Sequence, residues 1–183
     1  MRTPIAAATL AAALLPIALA GPANAERYGV DDPEDTFHGS DVLSLSVRNA
    51  GDSIDITTTH LGLRRDPRTG SAGVVYLDTD PDDRGPEYVF VGGFYAGTDY
   101  TLRKTEGFGR RQWGNPLHHA DYLMKVNYQK ETVRIRIHRP GVGNPDEVRV
   151  AVRVSGTRTD GTSHGLVDWV GKKNGFTPWI AHN

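Results

Sequence analysis

The stretch Glu147-Val-Arg-Val-Ala-Val-Arg-Val154 decides the fold class of this chain. Valine occupies every second position, and Arg149, Ala151 and Arg153 lie between the valines. A period of two places the valines on one face of an extended strand and the intervening residues on the other face. The segment Val133-Arg-Ile-Arg-Ile-His138 repeats this pattern. Both segments therefore predict strands with one buried and one solvated face.

Further strand patterns, separated by turn residues, precede these two segments. Leu43, Leu45 and Val47 alternate with polar residues, and the alternation resumes after a turn at residues 49–52. Residues 74–77 and 88–91 are apolar on both faces, as is typical of central strands. We predict an all-β, single-domain antiparallel β-sandwich of about eight strands, jelly-roll-like in the broad sense.

The N-terminal residues have the three parts of a secretory signal. Arg2 precedes an apolar run over residues 5–20, and Ala23-Asn-Ala25 is a small-residue cleavage pattern. This predicts a signal peptide over residues 1–25 and a secreted, extracellular protein. The run is interrupted by Pro16, and a transmembrane helix needs about 20 apolar residues, so we expect no membrane span. Residues 26–40 then predict an acidic N-terminal arm, and residues 41–183 the β-sandwich domain.

Composition excludes several classes of function. The net charge of −1 gives no electrostatic reason to expect a nucleic acid as partner. The chain has no cysteine, which excludes thiol catalysis, cysteine-ligated zinc and iron–sulfur clusters. A secreted chain without disulfides depends on its core for stability. We expect a monomer that binds no nucleic acid.

The densest group of carboxylates lies in Tyr76-Leu-Asp-Thr-Asp-Pro-Asp-Asp-Arg-Gly-Pro-Glu-Tyr-Val-Phe90, between two strand patterns. Calcium takes six to eight oxygen ligands, and carboxylates at a strand end and a turn are suitable donors. We therefore predict a structural calcium site with Asp78, Asp80 and Glu87 as metal ligands, and with Asp82 and Asp83 in reserve. The alternative is that these carboxylates accept hydrogen bonds from backbone amides of the turn. The spacing differs from that of an EF-hand loop.

Two other groups of polar residues are weaker candidates for a site. His118-His119 with Asp121 would suit zinc, but nothing in the sequence supplies a third ligand of matching spacing, and surface histidines fit equally well. Ser163 lies beside His164 without the Gly-x-Ser-x-Gly pattern of a nucleophile elbow, so a loop is expected there.

Aromatic and basic residues leave two questions open. The aromatic residues Tyr95, Tyr100, Phe108 and Trp113 either stack on a sugar or close one end of the core, and core packing is favoured. The polar faces of the two alternating strands carry arginines that either bind an anionic polymer or are simply solvated. These are Arg134, Arg136, Arg149 and Arg153.

Several motifs resemble those of small exported β-sandwich proteins from high-GC Gram-positive bacteria. In chain order they are Asp78-Thr-Asp80, Gly85-Pro-Glu-Tyr-Val-Phe90, Tyr100-Thr-Leu102, Glu147-Val-Arg-Val-Ala-Val152, Asp168-Trp169 and Phe176-Thr-Pro-Trp179. The acidic hairpin is also similar to one in carbohydrate-binding β-sandwich modules, where the strand end contributes to a calcium site. The resemblance implies a fold, an exported location and calcium at Asp78, Asp80 and Glu87, but no reaction. Members of the group often carry a cysteine pair that this chain lacks.

The sequence leaves three functional hypotheses. The first is a secreted, non-catalytic binding module, with calcium at the hairpin of residues 78–87 and a carbohydrate as the more specific ligand. The second is a secreted hydrolase that uses acidic residues near the same hairpin. The third is a protein that interacts with a cell-envelope component and has no small ligand. A deep pocket with grouped Asp and His would favour the enzyme, and a flat aromatic face would favour binding.

Overall fold

The computed structural model describes residues 27–183, so the signal peptide predicted over residues 1–25 lies outside the described part of the chain. The first sheet has five antiparallel strands in the order β1-β2-β3-β9-β8. These strands are β1 (Arg27–Asp31), β2 (Val42–Ala50), β3 (Ser53–His60), β8 (Tyr122–Asn127) and β9 (Thr132–His138).

The second sheet has seven strands, in the order β11-β10-β4-β5-β6-β7, with β12 also paired to β10. They are β4 (Ser71–Asp78), β5 (Tyr88–Gly93), β6 (Tyr100–Thr105), β7 (Trp113–Pro116), β10 (Glu147–Gly156), β11 (Val167–Trp169) and β12 (Ile180–Ala181). All described pairings are antiparallel, so the predicted all-β antiparallel sandwich is confirmed.

The two alternating segments form the strands that their period predicts. In β9 the apolar residues Val133, Ile135 and Ile137 are buried while the arginines between them are exposed. In β10 the four valines point to the core, and β10 pairs with β4 over eight residues. The largest core cluster lies between the sheets, where Phe90, Leu45 and other apolar side chains are almost fully buried.

Twelve strands are present among the described residues, against about eight predicted, because several edge strands are short. β1 lies within the segment predicted as an acidic N-terminal arm, residues 26–40. It pairs along β2, and only Tyr28 and Val30 turn toward the core, which is too weak a pattern to recognise in an acidic segment. Within residues 27–183, the helical elements are two 3₁₀ turns, and none is long and apolar enough to cross a membrane.

The outer face of the second sheet has an apolar layer of its own. Val74, Tyr76, Val89 and Ala151 are buried there, although they point away from the main core. Aromatic side chains from the loops and from β11 cover them. This second layer explains why β4 is buried on both faces. It also forms the floor of the cleft described below.

Candidate metal centre and ligand-binding cleft

The predicted metal ligand Asp78 forms a buried ion pair. It ends β4, is fully buried, and faces Arg149 in the register of β4 and β10. Arg149 donates from Nε and Nη2 to the same oxygen, Asp78 Oδ2, at 2.8 and 2.7 Å. The guanidinium also lies over the rings of Phe176 and Trp179, 4.8 and 4.5 Å from their centroids. Burial raises the pKa of Asp78, although the hydrogen bond and charge of Arg149 oppose that rise.

The other hairpin carboxylates accept hydrogen bonds from nearby donors. Glu87 Oε2 accepts from the backbone N–H and the hydroxyl of Thr79, at 2.6 and 3.1 Å. Asp80 Oδ1 accepts from Asp82 N at 3.0 Å, and Asp83 Oδ1 accepts from Arg84 N at 2.7 Å. Both are short-range contacts of a turn.

Asp78, Asp80 and Glu87 are therefore directed to different donors. They do not form a convergent group of three ligand atoms within residues 27–183. Asp80 and Asp83 make the turn hydrogen bonds of the alternative stated for the hairpin. Asp78 instead pairs through Oδ2 with Arg149, which lies 71 residues away in sequence and reaches it only through the pairing of β4 with β10, while Asp78 Oδ1 is buried without a hydrogen-bond partner among the described residues.

A different acidic cluster can hold a metal ion. Asp35, Asp41 and Asp168 each offer a carboxylate oxygen, and the three oxygens lie within 4.8 Å of one another. Asp35 and Asp41 belong to the loop between β1 and β2, whereas Asp168 is the middle residue of β11. Asp41 and Asp168 are 0% and 3% exposed, and Asp35 is exposed. The cluster joins the first sheet's leading loop to the edge of the second sheet.

Hydrogen bonds fix the orientation of the two buried aspartates. Asp41 Oδ1 accepts from the backbone N–H groups of Asp35 and Thr36, at 2.9 and 2.7 Å. Asp168 Oδ2 accepts from Val42 N at 2.8 Å. The second oxygen of Asp41, Oδ2, is buried and has no hydrogen-bond partner among the described residues. A buried carboxylate oxygen without a donor is costly unless a cation or a water satisfies it.

The cluster is strongly acidic. Burial raises the pKa of Asp168 to about 6, and the negative charges of Asp35, Asp32 and Asp41 add to that rise, although the hydrogen bond from Val42 opposes it. No lysine or arginine forms an ion pair with Asp35, Asp41 or Asp168 in the described part of the chain. A cation bound between these oxygens would remove the repulsion.

Sequence reasoning missed this cluster because its members are far apart in the chain. Asp41 and Asp168 are separated by 127 positions, and no spacing motif links them. Asp41 does carry a weak sequence signal, since a carboxylate directly precedes the alternating pattern of β2.

The outer face of the second sheet carries an aromatic cleft. Tyr76 is its buried centre, and Trp169 stacks on it with ring centroids 6.2 Å apart and planes 8° apart. Phe108 and Trp113 approach the same ring, at 4.7 and 6.4 Å. Tyr76 donates its hydroxyl hydrogen to Phe108 O at 2.7 Å, which fixes the loop that carries Phe108. Phe108, Trp113 and Trp169 are half-buried, so part of each ring is accessible.

The cleft has a volume of about 520 Å³, within the range of small-ligand sites. Loops and strands from four parts of the chain contribute to its walls. The lining residues are Val74, Tyr76, Phe108, Gly109, Arg110, Trp113, Arg153, Ser155, Ser163, Trp169, Lys173 and Asn174.

The aromatic residues named from the sequence fall into two groups. Phe108 and Trp113 lie in the cleft on the outer face of the second sheet. Tyr100 packs on the main core beside Phe90, with ring centroids 5.8 Å apart, as expected of an aromatic that closes the core. Tyr95 is partly exposed. Sequence alone did not find Tyr76 or Trp169 as parts of one site, because they come from β4 and β11.

The remaining candidates are not gathered into a site. His118 and His119 are exposed, and Asp121 lies 3.5 Å from His138 Nε2 instead. These residues form no group of three potential ligands within the described residues. Ser163 lines the cleft, whereas the backbone oxygen of the exposed His164 accepts a hydrogen bond from Arg158.

The chain matches no model of a known protein family, and no curated protein matches it in sequence.

Proposed function

We propose that this protein is a secreted, non-catalytic binding module that holds a carbohydrate in the aromatic cleft of its second sheet. The observation that carries the proposal is the group of three half-buried rings, Phe108, Trp113 and Trp169, arranged around the buried Tyr76. Aromatic faces bury the apolar faces of sugar rings, while polar groups at the edge bind the hydroxyls. Rings on a rigid sheet are already in position, which lowers the entropic cost of binding.

Binding is preferred to hydrolysis because of how the hairpin carboxylates are used. A glycoside hydrolase needs two carboxyl groups that flank one bond. Asp78 is paired with Arg149, and Glu87 accepts from Thr79. Neither lines the aromatic cleft.

The binding proposal is tested by titrating the purified protein with a panel of oligosaccharides and following tryptophan fluorescence. We expect a saturable change that Trp169→Ala and Trp113→Ala weaken by about tenfold or more, since truncating a tryptophan that anchors a ligand typically costs about 2 kcal/mol or more. Leu123→Ala is the control, because Leu123 is 43% exposed on the first sheet, away from the cleft. Equal affinity in all four proteins, or no saturable binding, would contradict the proposal.

A structural calcium ion is the second part of the proposal, and its ligands are Asp35, Asp41 and Asp168. Three carboxylates supply an all-oxygen set, and backbone carbonyls or waters would complete the six to eight ligands that calcium takes. The buried oxygen Asp41 Oδ2, which has no donor in residues 27–183, supports this assignment. The ion would fasten the loop before β2 to β11.

Calorimetric titration with Ca²⁺ tests the site, and two variants decide its position. Asp41→Asn removes a charge from the cluster and should abolish binding. Asp80→Asn removes a charge from the hairpin and preserves the turn, because an Asn oxygen also accepts the hydrogen bond from Asp82 N. Retained binding in Asp80→Asn with loss in Asp41→Asn supports the cluster. The opposite result would place calcium at the hairpin.

Export is tested separately. When the full chain is expressed in a bacterium with a general secretion system, we expect the protein in the medium with Glu26 as its first residue, as mass spectrometry would show. Retention in the cell with an intact Met1 would contradict the proposed location.

A further inference from the structure

The walls of the aromatic cleft carry positive charge. Arg110, Arg153 and Lys173 line it, and no Asp or Glu is among its lining residues. The other arginines of β9 and β10 form ion pairs with carboxylates. The positive charges of the cleft are therefore available to an anionic ligand.

Arg153 differs from the other arginines of these strands. Arg134 and Arg136 both contact Asp55, at 3.3 and 2.8 Å. Arg149 contacts Asp78 at 2.7 Å.

Arg153 has no carboxylate within 4.0 Å in the described part of the chain, although it is half-buried. Its position in the sheet fixes it in the cleft, between Val74 of β4 and Trp169 of β11. A bound anion would supply the counter-charge that this half-buried arginine lacks.

The indole Nε1 of Trp113 lies on the same cleft. It is buried and acts on the Tyr76 hydroxyl, and it makes no hydrogen bond of good geometry to a described residue. The hydroxyl of Tyr76 already donates to Phe108 O. The positive charges of Arg153 and Arg110 also act on Tyr76, whose pKa is nevertheless raised, chiefly by burial. The cleft thus combines ring faces with cationic side chains, and its ligand should supply an apolar face and anionic oxygens.

We infer that the cleft binds a saccharide that carries an anionic group, with the sugar ring on the aromatic floor and its carboxylate or sulfate oxygens on Arg153. This inference deepens the proposed function and rests on it. Arg153 selects for the charge, because a planar guanidinium can donate two parallel hydrogen bonds to a carboxylate or a sulfate. Lys173 and Arg110 are exposed and add long-range attraction that salt weakens.

Matched ligand pairs test the inference. Oligogalacturonate is compared with its fully methyl-esterified form, and a sulfated oligosaccharide with its desulfated form, by fluorescence and calorimetric titration. We expect at least one charged member to bind about tenfold or more tightly than its neutral match, with a difference that shrinks in 0.5 M salt. The pair that shows the difference tells whether carboxylate or sulfate is recognised.

Two variants assign the effect to Arg153. Arg153→Gln should weaken binding of the charged ligand by about tenfold and leave the neutral ligand unchanged. Arg134→Gln is the matched control, because Arg134 is an exposed strand arginine of the first sheet. An equal loss in both variants would overturn the inference.

The two proposals fail in different ways. Equal affinity for charged and neutral sugars would overturn the anionic selectivity and leave the carbohydrate-binding proposal standing. Absence of binding to any sugar would overturn both. A single-stranded oligonucleotide of matched charge that binds as tightly as the best sugar would overturn the assignment to saccharides, because phosphate charge and base stacking would then suffice.

Discussion

Asp168 and Trp169 are neighbours in β11, yet their side chains serve opposite sides of the second sheet. Asp168 points inward, where its Oδ2 accepts from Val42 N at 2.8 Å and its carboxylate belongs to the acidic cluster. Trp169 points outward and stacks on Tyr76 in the aromatic cleft. Because successive residues of a strand face opposite sides, a three-residue strand joins the proposed calcium site to the proposed ligand site.

This relationship predicts that calcium and ligand affect each other. Fixing Asp168 should hold β11 in place and position Trp169, so Ca²⁺ should strengthen ligand binding several-fold relative to protein in excess chelator. Hydrogen exchange should also slow at residues 166–170 when Ca²⁺ is added, since local opening of the sheet edge becomes less frequent. Asp41→Asn is expected to remove both effects. Identical ligand affinity with Ca²⁺ and with chelator would show that the two sites are independent.

The ion pair of Asp78 and Arg149 should contribute strongly to stability. Asp78→Asn leaves a guanidinium facing a neutral group at a site where Asp78 is fully buried. Breaking a fully buried pair from one side typically costs about 3–5 kcal/mol in the free energy of unfolding. Because the Arg149 side chain is 31% exposed and water can partly solvate it, we expect a smaller loss of about 1–3 kcal/mol. Urea denaturation measures this loss.

An exposed pair provides the control for this prediction. Arg68 and Asp66 lie 3.1 Å apart, with side chains 86% and 43% exposed, so Arg68→Gln should leave the free energy of unfolding nearly unchanged. Similar small losses in Asp78→Asn and Arg68→Gln would refute a structural role for the buried pair.

His60 should make the protein sensitive to acid. Burial lowers the pKa of the His60 imidazole to about 4. The hydrogen bond to Gly39 O and the negative charge of Asp41 act in the opposite direction and raise this pKa, but by less. Its Nδ1–H donates to Gly39 O, and its Nε2 accepts from the hydroxyl of Thr58, at 3.1 and 2.7 Å. Between pH 6.5 and 4 the unfolded chain binds a proton that the folded chain does not. Stability therefore falls as the pH is lowered through this window, by about 3 kcal/mol at 1.4 kcal/mol per pKa unit.

Comparison with a variant isolates the contribution of His60, because Asp168 titrates in an overlapping range with the opposite sign. His60→Gln should be less stable at pH 7 and should lose less stability between pH 6.5 and 4. Chemical denaturation at a series of pH values gives both slopes, and parallel slopes would mean that His60 does not titrate as proposed.

Gly73 should tolerate no side chain. A Cβ at this position of β4 would overlap the ring of Phe94, which is 2% exposed and fixed in the core beside His60. Gly73→Ala should therefore destabilise the protein by about 1–3 kcal/mol through overpacking. Gly29→Ala is the control, since Gly29 is an exposed residue of β1 where an added Cβ would have its nearest neighbour, Leu45 O, at 4.0 Å. Thermal unfolding separates the two, and an unchanged melting temperature for Gly73→Ala would contradict the packing argument.

The fold could be predicted where the local pattern is strong. Val148 to Val154 and Val133 to Ile137 become β10 and β9 because their alternation leaves a single way to bury the apolar face. β12 has two residues, Ile180 and Ala181, and exists only because β10 offers it an edge. A strand of two residues is too short to show the alternation of apolar and polar residues that predicts a strand.

The candidate sites were less predictable than the strands. Phe108 and Trp113 were visible as aromatic residues near glycines, but their shared contact with Tyr76 depends on the packing of a loop onto β4. The acidic hairpin was correctly recognised as dense in charge, and its composition pointed to calcium. The partner that a hairpin carboxylate finds in the fold can be a residue far away in sequence, and no local pattern identifies such a partner.

The sequence by itself determined the class of fold, the strongest strands and the absence of thiol chemistry, because period and composition act locally along the chain. Only the tertiary structure decided which charges meet. Arg149 reaches Asp78 across the β4–β10 pairing, whereas Asp41 and Asp168 approach each other from the loop before β2 and from β11. Electrostatic interactions and ligand geometry depend on distances through space, and the folding of two sheets onto one core sets those distances.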